Sequence, residues 1–253
     1  MAQEENWLLN EKYNGEKSEA FFADCKRLAL GEPLAYLIGH TPFLDSRIFL
    51  DSHPLIPRVE TEHWVKEAIE VIKTQQTNSL GIVETQIKVL DLCAGSGCIG
   101  VAVAKNVPNA VVDFSELDKA HLPTIEKNLK ENSIGQSRYK IFHSSLFNSL
   151  RENKYDFILS NPPYINAELD RTDDDVLNNE PHLALFGGKD GMDIIKEIIE
   201  TSPNHLKNNG QLWIEHEPEQ VQEINTLATK SGFEITNHKD QYKRDRYSIL
   251  VLK

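Results

Sequence analysis

Apolar residues cluster twice in the first thirty positions: Trp7, Leu8 and Leu9, then Phe21, Phe22, Cys25, Leu28 and Leu30. The second group has helical spacing, so a helical leader is expected, broken near Asn14-Gly15. The stretch "TPFLDSRIFLDSHPLIP" reads as two extended segments around Asp45-Ser46, a hairpin. A helix follows from about Glu60, with Trp64, Val65, Ala68, Ile69 and Ile72 on one face. Residues 74–85 are polar and contain a glycine, which puts a boundary between a leader unit (1–75) and a larger unit (76–253). Beyond it the periodicity alternates. Strands are expected at 88–92, 110–115, 139–143, 156–160 and 211–215, and helices at 97–106, 118–132, 191–207 and 217–230. Such alternation predicts a parallel sheet covered by helices on both faces. "FEITNHKD" and "RYSILVLK" then follow each other with no helix between them, so they are expected to pair antiparallel at one edge.

Composition narrows the class without naming a function. The chain has 253 residues, 40% hydrophobic and 26% charged, ordinary values for a soluble globular protein with one α/β domain and a small appendage. No run of about 18 apolar residues exists to span a membrane. The opening "MAQEENWLLNEKYNGEK" lacks the basic start and apolar centre of a secretory signal. Three cysteines form no disulfide framework, so a cytoplasmic location is expected. The net charge of −12 disfavours nucleic acid as the main substrate, since the densest basic cluster is only Lys243-Arg244-Asp245-Arg246. A basic protein partner or a cationic cofactor fits such a chain better.

Two stretches carry candidate chemistry. The first runs from strand to helix: Asp91, Leu92, Cys93, Ala94, Gly95, Ser96, Gly97. Gly95 and Gly97 permit close backbone approach to a ligand, and the helix behind them offers unpaired N–H groups. Nineteen residues past Gly97 stands Glu116, at the end of the next strand, where an acid can accept both ribose hydroxyls of an adenosine. The glycines alone are equally compatible with a tight strand–helix turn, and Gly95, Gly97 and Gly100 formally match a dinucleotide fingerprint. Asp91 argues otherwise, because a carboxylate there repels a pyrophosphate but can help hold the ammonium end of S-adenosylmethionine. Cys93 and Cys98 flank the glycines without further ligands at metal spacing, so they read as small packing residues and no metal is expected.

The second stretch is "SNPPYI", Ser160 to Ile165, directly after the strand at 156–160. A proline-terminated edge strand is the plain reading. A mostly parallel sheet of seven strands ending in an antiparallel hairpin is, however, the arrangement of the class I (Rossmann-like) S-adenosylmethionine-dependent methyltransferase fold. In that fold Asn161 lands beside the methyl donor. A planar –NH₂ group is a poor nucleophile and must be gripped and aimed. The Asn161 side-chain oxygen and the Pro162 carbonyl supply two acceptors, and Tyr164 can pack its ring against the flat amide.

Further motifs choose among planar nitrogens. "EPLAYLIG" (32–39), "LIPRVETE" (55–62), "EPHLALFGGKDG" (180–191), Ile214-Glu215 with Gln220, Gly232-Phe233 and Arg244-Asp245-Arg246 resemble, in order and spacing, the release-factor glutamine methyltransferase family over residues 31 to 253. The resemblance implies methyl transfer from S-adenosylmethionine to the glutamine of the Gly-Gly-Gln motif in peptide-chain release factors. It implies a cofactor loop from Cys93 to Gly97 and a ribose-holding Glu116. Leu146 is then expected beside the adenine with Ser145 before it. Asn161 contacts both cofactor and glutamine amide, and Pro162, Pro163 and Tyr164 complete the substrate pocket. The chain departs from the family at Cys93, usually Gly; at Ser145, usually Asp; at Val59, usually Pro; and in a shortened leader that otherwise helps hold the release factor. Arg58 and Glu60 either line the groove for the tripeptide or simply start a helix. Rival readings are a ribosomal-protein glutamine methyltransferase, a nucleic-acid amino-methyltransferase and a non-catalytic adaptor of the same fold.

Overall fold

A computed structural model describes residues 3–75, 86–166, 168 and 174–253. The expected break in the leader separates α1 (Gln3–Glu11) from α2 (Glu19–Ala29). Ser18 caps α2 by accepting the Phe21 N–H. Buried Asp24 accepts from Lys12, Tyr13 and Arg27 and so ties the two helices together. Leu8, Leu9, Phe21 and Leu37 form a small core of their own here. A short helix not foreseen from periodicity, α3 (Leu34–Ile38), ends at Gly39 in a left-handed cap. The hairpin follows as β1 (His40–Phe43) and β2 (Ser46–Phe49), then α4 (Val59–Gln75) with the expected apolar face buried.

The larger unit contains β3 (Ile87–Leu92), α5 (Cys98–Asn106), β4 (Ala110–Glu116), α6 (Leu122–Glu131), β5 (Tyr139–His143) and β6 (Tyr155–Ser160). It continues with α7 (Asp174–Asn179), α8 (Asp193–Thr201), β7 (Leu206–Glu215), α9 (Val221–Lys230), β8 (Phe233–Lys239) and β9 (Asp245–Leu252). The strands form one seven-stranded sheet in the order β5-β4-β3-β6-β7-β9-β8. Its first five strands are parallel, and β9 inserts antiparallel between β7 and β8. Several expected bounds change: β7 begins at Leu206 rather than 211, and the stretch 217–230 opens as a 3-10 turn (Pro218–Gln220) before α9. The helix expected over 191–207 ends at Thr201, because Pro203 lacks the N–H that a continuing helix needs, and β7 already begins at Leu206. The segment 118–132 starts as a 3-10 turn capped by Asp118 before α6 proper.

The chain order moves outward from β3 to β4 and β5, then returns to place β6 on β3's other side. Such a reversal opens a crevice at the carboxyl ends of the two central strands, where open α/β sheets bind ligands. Leu92 pairs with Ser160, so the loop after β3 and the "NPPY" segment after β6 emerge side by side. The hairpin and α4 are built into the main body. Phe43, Ile48, Leu50 and Trp64 share one buried cluster with Val89, Phe114 and Trp213. The boundary expected between 75 and 76 adjoins residues 76–85, which lie outside the described ones.

Candidate active site

The β3–α5 loop turns by three left-handed residues: Cys93 (φ 63°), Gly95 (φ 54°) and Gly97 (φ 77°). The first is unusual, because a side chain crowds the backbone in that conformation. Glu116, buried at the end of β4, braces the loop from the neighbouring strand. Its Oε2 accepts the Gly95 N–H at 2.7 Å and its Oε1 accepts the Asp118 N–H at 2.6 Å. Below the loop Asp91 is fully buried, with Oδ2 accepting the Gly100 N–H at 2.8 Å. Its Oδ1 has no hydrogen-bond partner among the described residues. Burial pushes its pKa up to about 8.

On the other side of the crevice Ser160 donates to the Leu92 carbonyl at 2.8 Å and locks the two strand ends together. Asn161 follows, and its Nδ2 donates to Thr61 Oγ1 at 3.1 Å. Thr61, from the first turn of α4, donates in turn to Glu215 Oε2 at 2.7 Å. Trp64 Nε1 donates to the same oxygen at 2.7 Å, and Tyr164 donates its hydroxyl to Oε1 at 2.9 Å. Glu215 ends β7 and is buried. Burial pushes its pKa upward, opposed by the Trp64, Thr61 and Tyr164 bonds and by the Arg246 charge. Burial, with the Glu215 charge adding to it, also drives the Tyr164 phenol well above its ordinary value. The backbone of the motif is clamped as well. Gln220 Nε2 donates to the Tyr164 carbonyl at 2.9 Å and to the Gly191 carbonyl at 3.1 Å. Gly191 must lack a β-carbon here, since one would lie 2.1 Å from that Tyr164 oxygen.

Between these walls lies a cavity of about 920 Å³, counted out to its open mouth. Of the residues singled out from the sequence, Cys93, Gly95, Glu116, Ser145, Leu146, Asn161 and Pro163 line it. Asp91, Ala94, Ser96, Gly97 and Pro162 are buried next to these lining residues in the chain, and Tyr164 turns its hydroxyl to Glu215. Thr61, Trp64 and Glu215 were not singled out as site residues. Thr61 and Glu215 stand within quoted motifs, whereas Trp64 showed only its place on an apolar face. His121 on the cavity wall carried no sequence signal at all. Leu183 and Phe186, from "EPHLALFGG", also line the cavity. Arg58 donates to Glu180 Oε1 at 2.6 Å, while the Ile56 N–H reaches Oε2 at 3.0 Å, so Arg58 joins the α4 entrance to the "EPHLAL" segment. Glu60 stands in the first turn of α4, where the helix dipole favours an acid.

A family model described as "Methyltransferase small domain" matches residues 78–179. The release factor glutamine methyltransferase of Streptococcus pneumoniae is 34% identical, over 96% of this chain and 84% of that protein. The chain belongs to the release factor glutamine methyltransferase family. Another relative so named, from Borreliella burgdorferi, is also 34% identical, over 92% of this chain and 78% of its own. The crystal structure of the ribosomal protein L11 methylase from Lactobacillus delbrueckii subsp. bulgaricus matches with a TM-score of 0.54 and 17% identity. It covers 78% of this chain and 80% of that one, a likeness of fold.

For a member of the release factor glutamine methyltransferase family, the donor to test against the site is S-adenosylmethionine, and the residues present suit it. Each Glu116 oxygen takes only one backbone N–H, which leaves lone pairs for hydroxyl donors. Glu116 and Asp118 make the wall acidic, as a sulfonium cation requires, and Leu117 and Leu146 offer apolar surface to a flat ring. Among the described residues no group of His, Cys, Asp and Glu is arranged to hold a metal ion.

Proposed function

We propose that this enzyme of the methyltransferase fold transfers a methyl group from S-adenosylmethionine to the side-chain amide nitrogen of the Gly-Gly-Gln glutamine in peptide-chain release factors. When bound, the donor supplies an electrophilic methyl on a positively charged sulfur. Glu116 would hold its ribose, the Cys93–Gly97 loop with Asp91 its amino-acid end, and Ser145 and Leu146 its adenine. The one observation that carries the reading is the position of Asn161. It stands on the cavity wall where β6 ends beside β3, with its carboxamide nitrogen turned to Thr61.

From there the roles follow. The Asn161 oxygen and the Pro162 carbonyl accept the two N–H groups of the glutamine amide, and the nitrogen lone pair is left facing the methyl. Pro163 and Tyr164 shape the pocket. Tyr164 is no proton acceptor, since its phenol stays protonated and gives its hydrogen to Glu215. None is needed early: methylation makes the nitrogen cationic and acidic, and its proton can leave to water. The leader within residues 1–75 would contribute to docking of the release factor. A cytoplasmic setting suits this substrate, and among the described residues no helix is long and apolar enough to cross a membrane.

Purified enzyme with methyl-labelled donor decides the matter. Release factor is expected to take up label and its Gln→Ala variant to stay unlabelled. Label entering ribosomal protein or DNA alone would refute the proposal.

A further inference from the structure

A carboxamide is nearly symmetric in shape and opposite in chemistry at its two ends. What Asn161 can do therefore depends on which end it offers to the cavity. Four residues decide this. Trp64 Nε1 can only donate, and it donates to Glu215 Oε2. With Tyr164 on its other oxygen, Glu215 serves as an acceptor throughout. Thr61 Oγ1, 2.7 Å from Oε2, therefore gives its single hydroxyl proton to that carboxylate. Only lone pairs remain on the Thr61 oxygen. Asn161 meets that oxygen at 3.1 Å, and it can do so only through Nδ2–H. Oδ1 lies on the opposite side of the same planar group, and among the described residues it takes part in no hydrogen bond.

We infer that Glu215 and Thr61 are positioning residues that fix the polarity of the Asn161 carboxamide, holding Nδ2 inward so that Oδ1 faces the substrate amide. The inference rests on the methyl-transfer reading above. A flipped Asn161 would oppose N–H to N–H and repel the glutamine –NH₂. The same carboxylate takes the Tyr164 hydroxyl, so both ends of the four-residue motif are pinned to one buried group. The relay joins three distant parts of the chain: α4, the end of β6 and the end of β7.

The test uses the full chain, S-adenosylmethionine and a release factor carrying Gly-Gly-Gln. Thr61→Val removes the relay oxygen. Its kcat is expected to fall about 10- to 100-fold, the loss that a mis-set reacting group produces. Donor Kd should stay within about threefold, because the lost interaction acts on the transferring geometry. Thr61→Ser restores the hydroxyl and should bring kcat back to within about threefold of wild type. A Thr61→Val enzyme that keeps kcat within about twofold, or a Thr61→Ser enzyme as slow as Thr61→Val, overturns the inference. A wild-type enzyme that leaves release factor unlabelled overturns the methyl-transfer reading and this inference with it. If Thr61→Val does not fold, hydrogen exchange of the Asn161 side-chain amide in the wild-type protein decides. One slowly exchanging Nδ2 proton supports the relay, and two protons exchanging at the solvent rate overturn it.

Discussion

Asn161 and Cys93 follow the paired ends of β6 and β3 and make opposite demands on the chain. The carboxamide is a working group. Asn161→Ala is expected to lower kcat by about 10²- to 10³-fold, the range seen when one preorganised hydrogen-bonding group is lost. Donor binding should be largely kept, which isothermal calorimetry can check. Cys93 is a conformational compromise, a side chain held at φ 63°. Left-handed backbone costs a non-glycine residue about 1–2 kcal/mol, and the extra freedom of an unfolded glycine costs about 0.4–1 kcal/mol. The first effect exceeds the second by about 0–1.6 kcal/mol, offset by the packing that the Cys93 side chain makes against the Leu90 and Leu92 cluster, so Cys93→Gly should shift stability by no more than about 1 kcal/mol in urea titration. Asp91 adds a pH effect. Its native carboxyl, pushed up to about 8, binds a proton that the unfolded chain has already released above about 4. The native state then holds more protons between those values, so stability contributed here is full below pH 4 and is lost as pH rises through 8. Asp91→Asn should flatten that decline in denaturation midpoints measured from pH 5 to 8.

Elements meet at the site through a few clamps that join segments far apart in the chain. Gly191, just before α8, packs so closely on the Tyr164 carbonyl that an added β-carbon would lie 2.1 Å away, and its φ is 70°. Gly191→Ala is expected to cost about 2 kcal/mol or more through strain at a special backbone position. It should also lower kcat, because the displaced backbone belongs to the catalytic motif. Periodicity located most of these elements. It erred where tertiary context or proline intervened, as in the over-long helix at 191–207. It also overlooked α3, a helix of only five residues, too short to show a period. The loop and the "NPPY" segment were legible because glycine, proline and asparagine advertise their backbone habits. Thr61 and Trp64 were not, since their polar atoms sit on a helix whose pattern reports only burial.

The whole molecule is less divisible than its composition implies. Trp64, Val65, Ile69 and Ile72 of α4 are buried in the core that the sheet also builds. Burying four such side chains is worth about 6–12 kcal/mol. That rivals the entire net stability of a typical domain, about 5–15 kcal/mol. A fragment of residues 76–253 should therefore fail to fold cooperatively, which circular dichroism with urea would show. Deleting residues 1–30 removes mainly the separate leader core of Leu8, Leu9 and Phe21. That shorter chain should still unfold in one transition and bind donor. A raised KM for release factor, with kcat nearly unchanged, is the expected signature of the proposed docking role.

Local rules sufficed for the alternating strands and helices and for the two motifs at strand ends, whereas the reversal that sets those ends side by side came from the tertiary fold. Periods of 2 and 3.6 residues and the backbone preferences of Gly, Pro and Asn act within a few positions and can be read along the chain. Their neighbours could not be read that way. Asn161 bonds to a threonine 100 residues earlier, and that threonine to a glutamate 154 residues later. Which polar atoms meet over such separations depends on how helix packs on sheet. It is there that the direction of each hydrogen bond, and so the face of Asn161 turned to the cavity, is set.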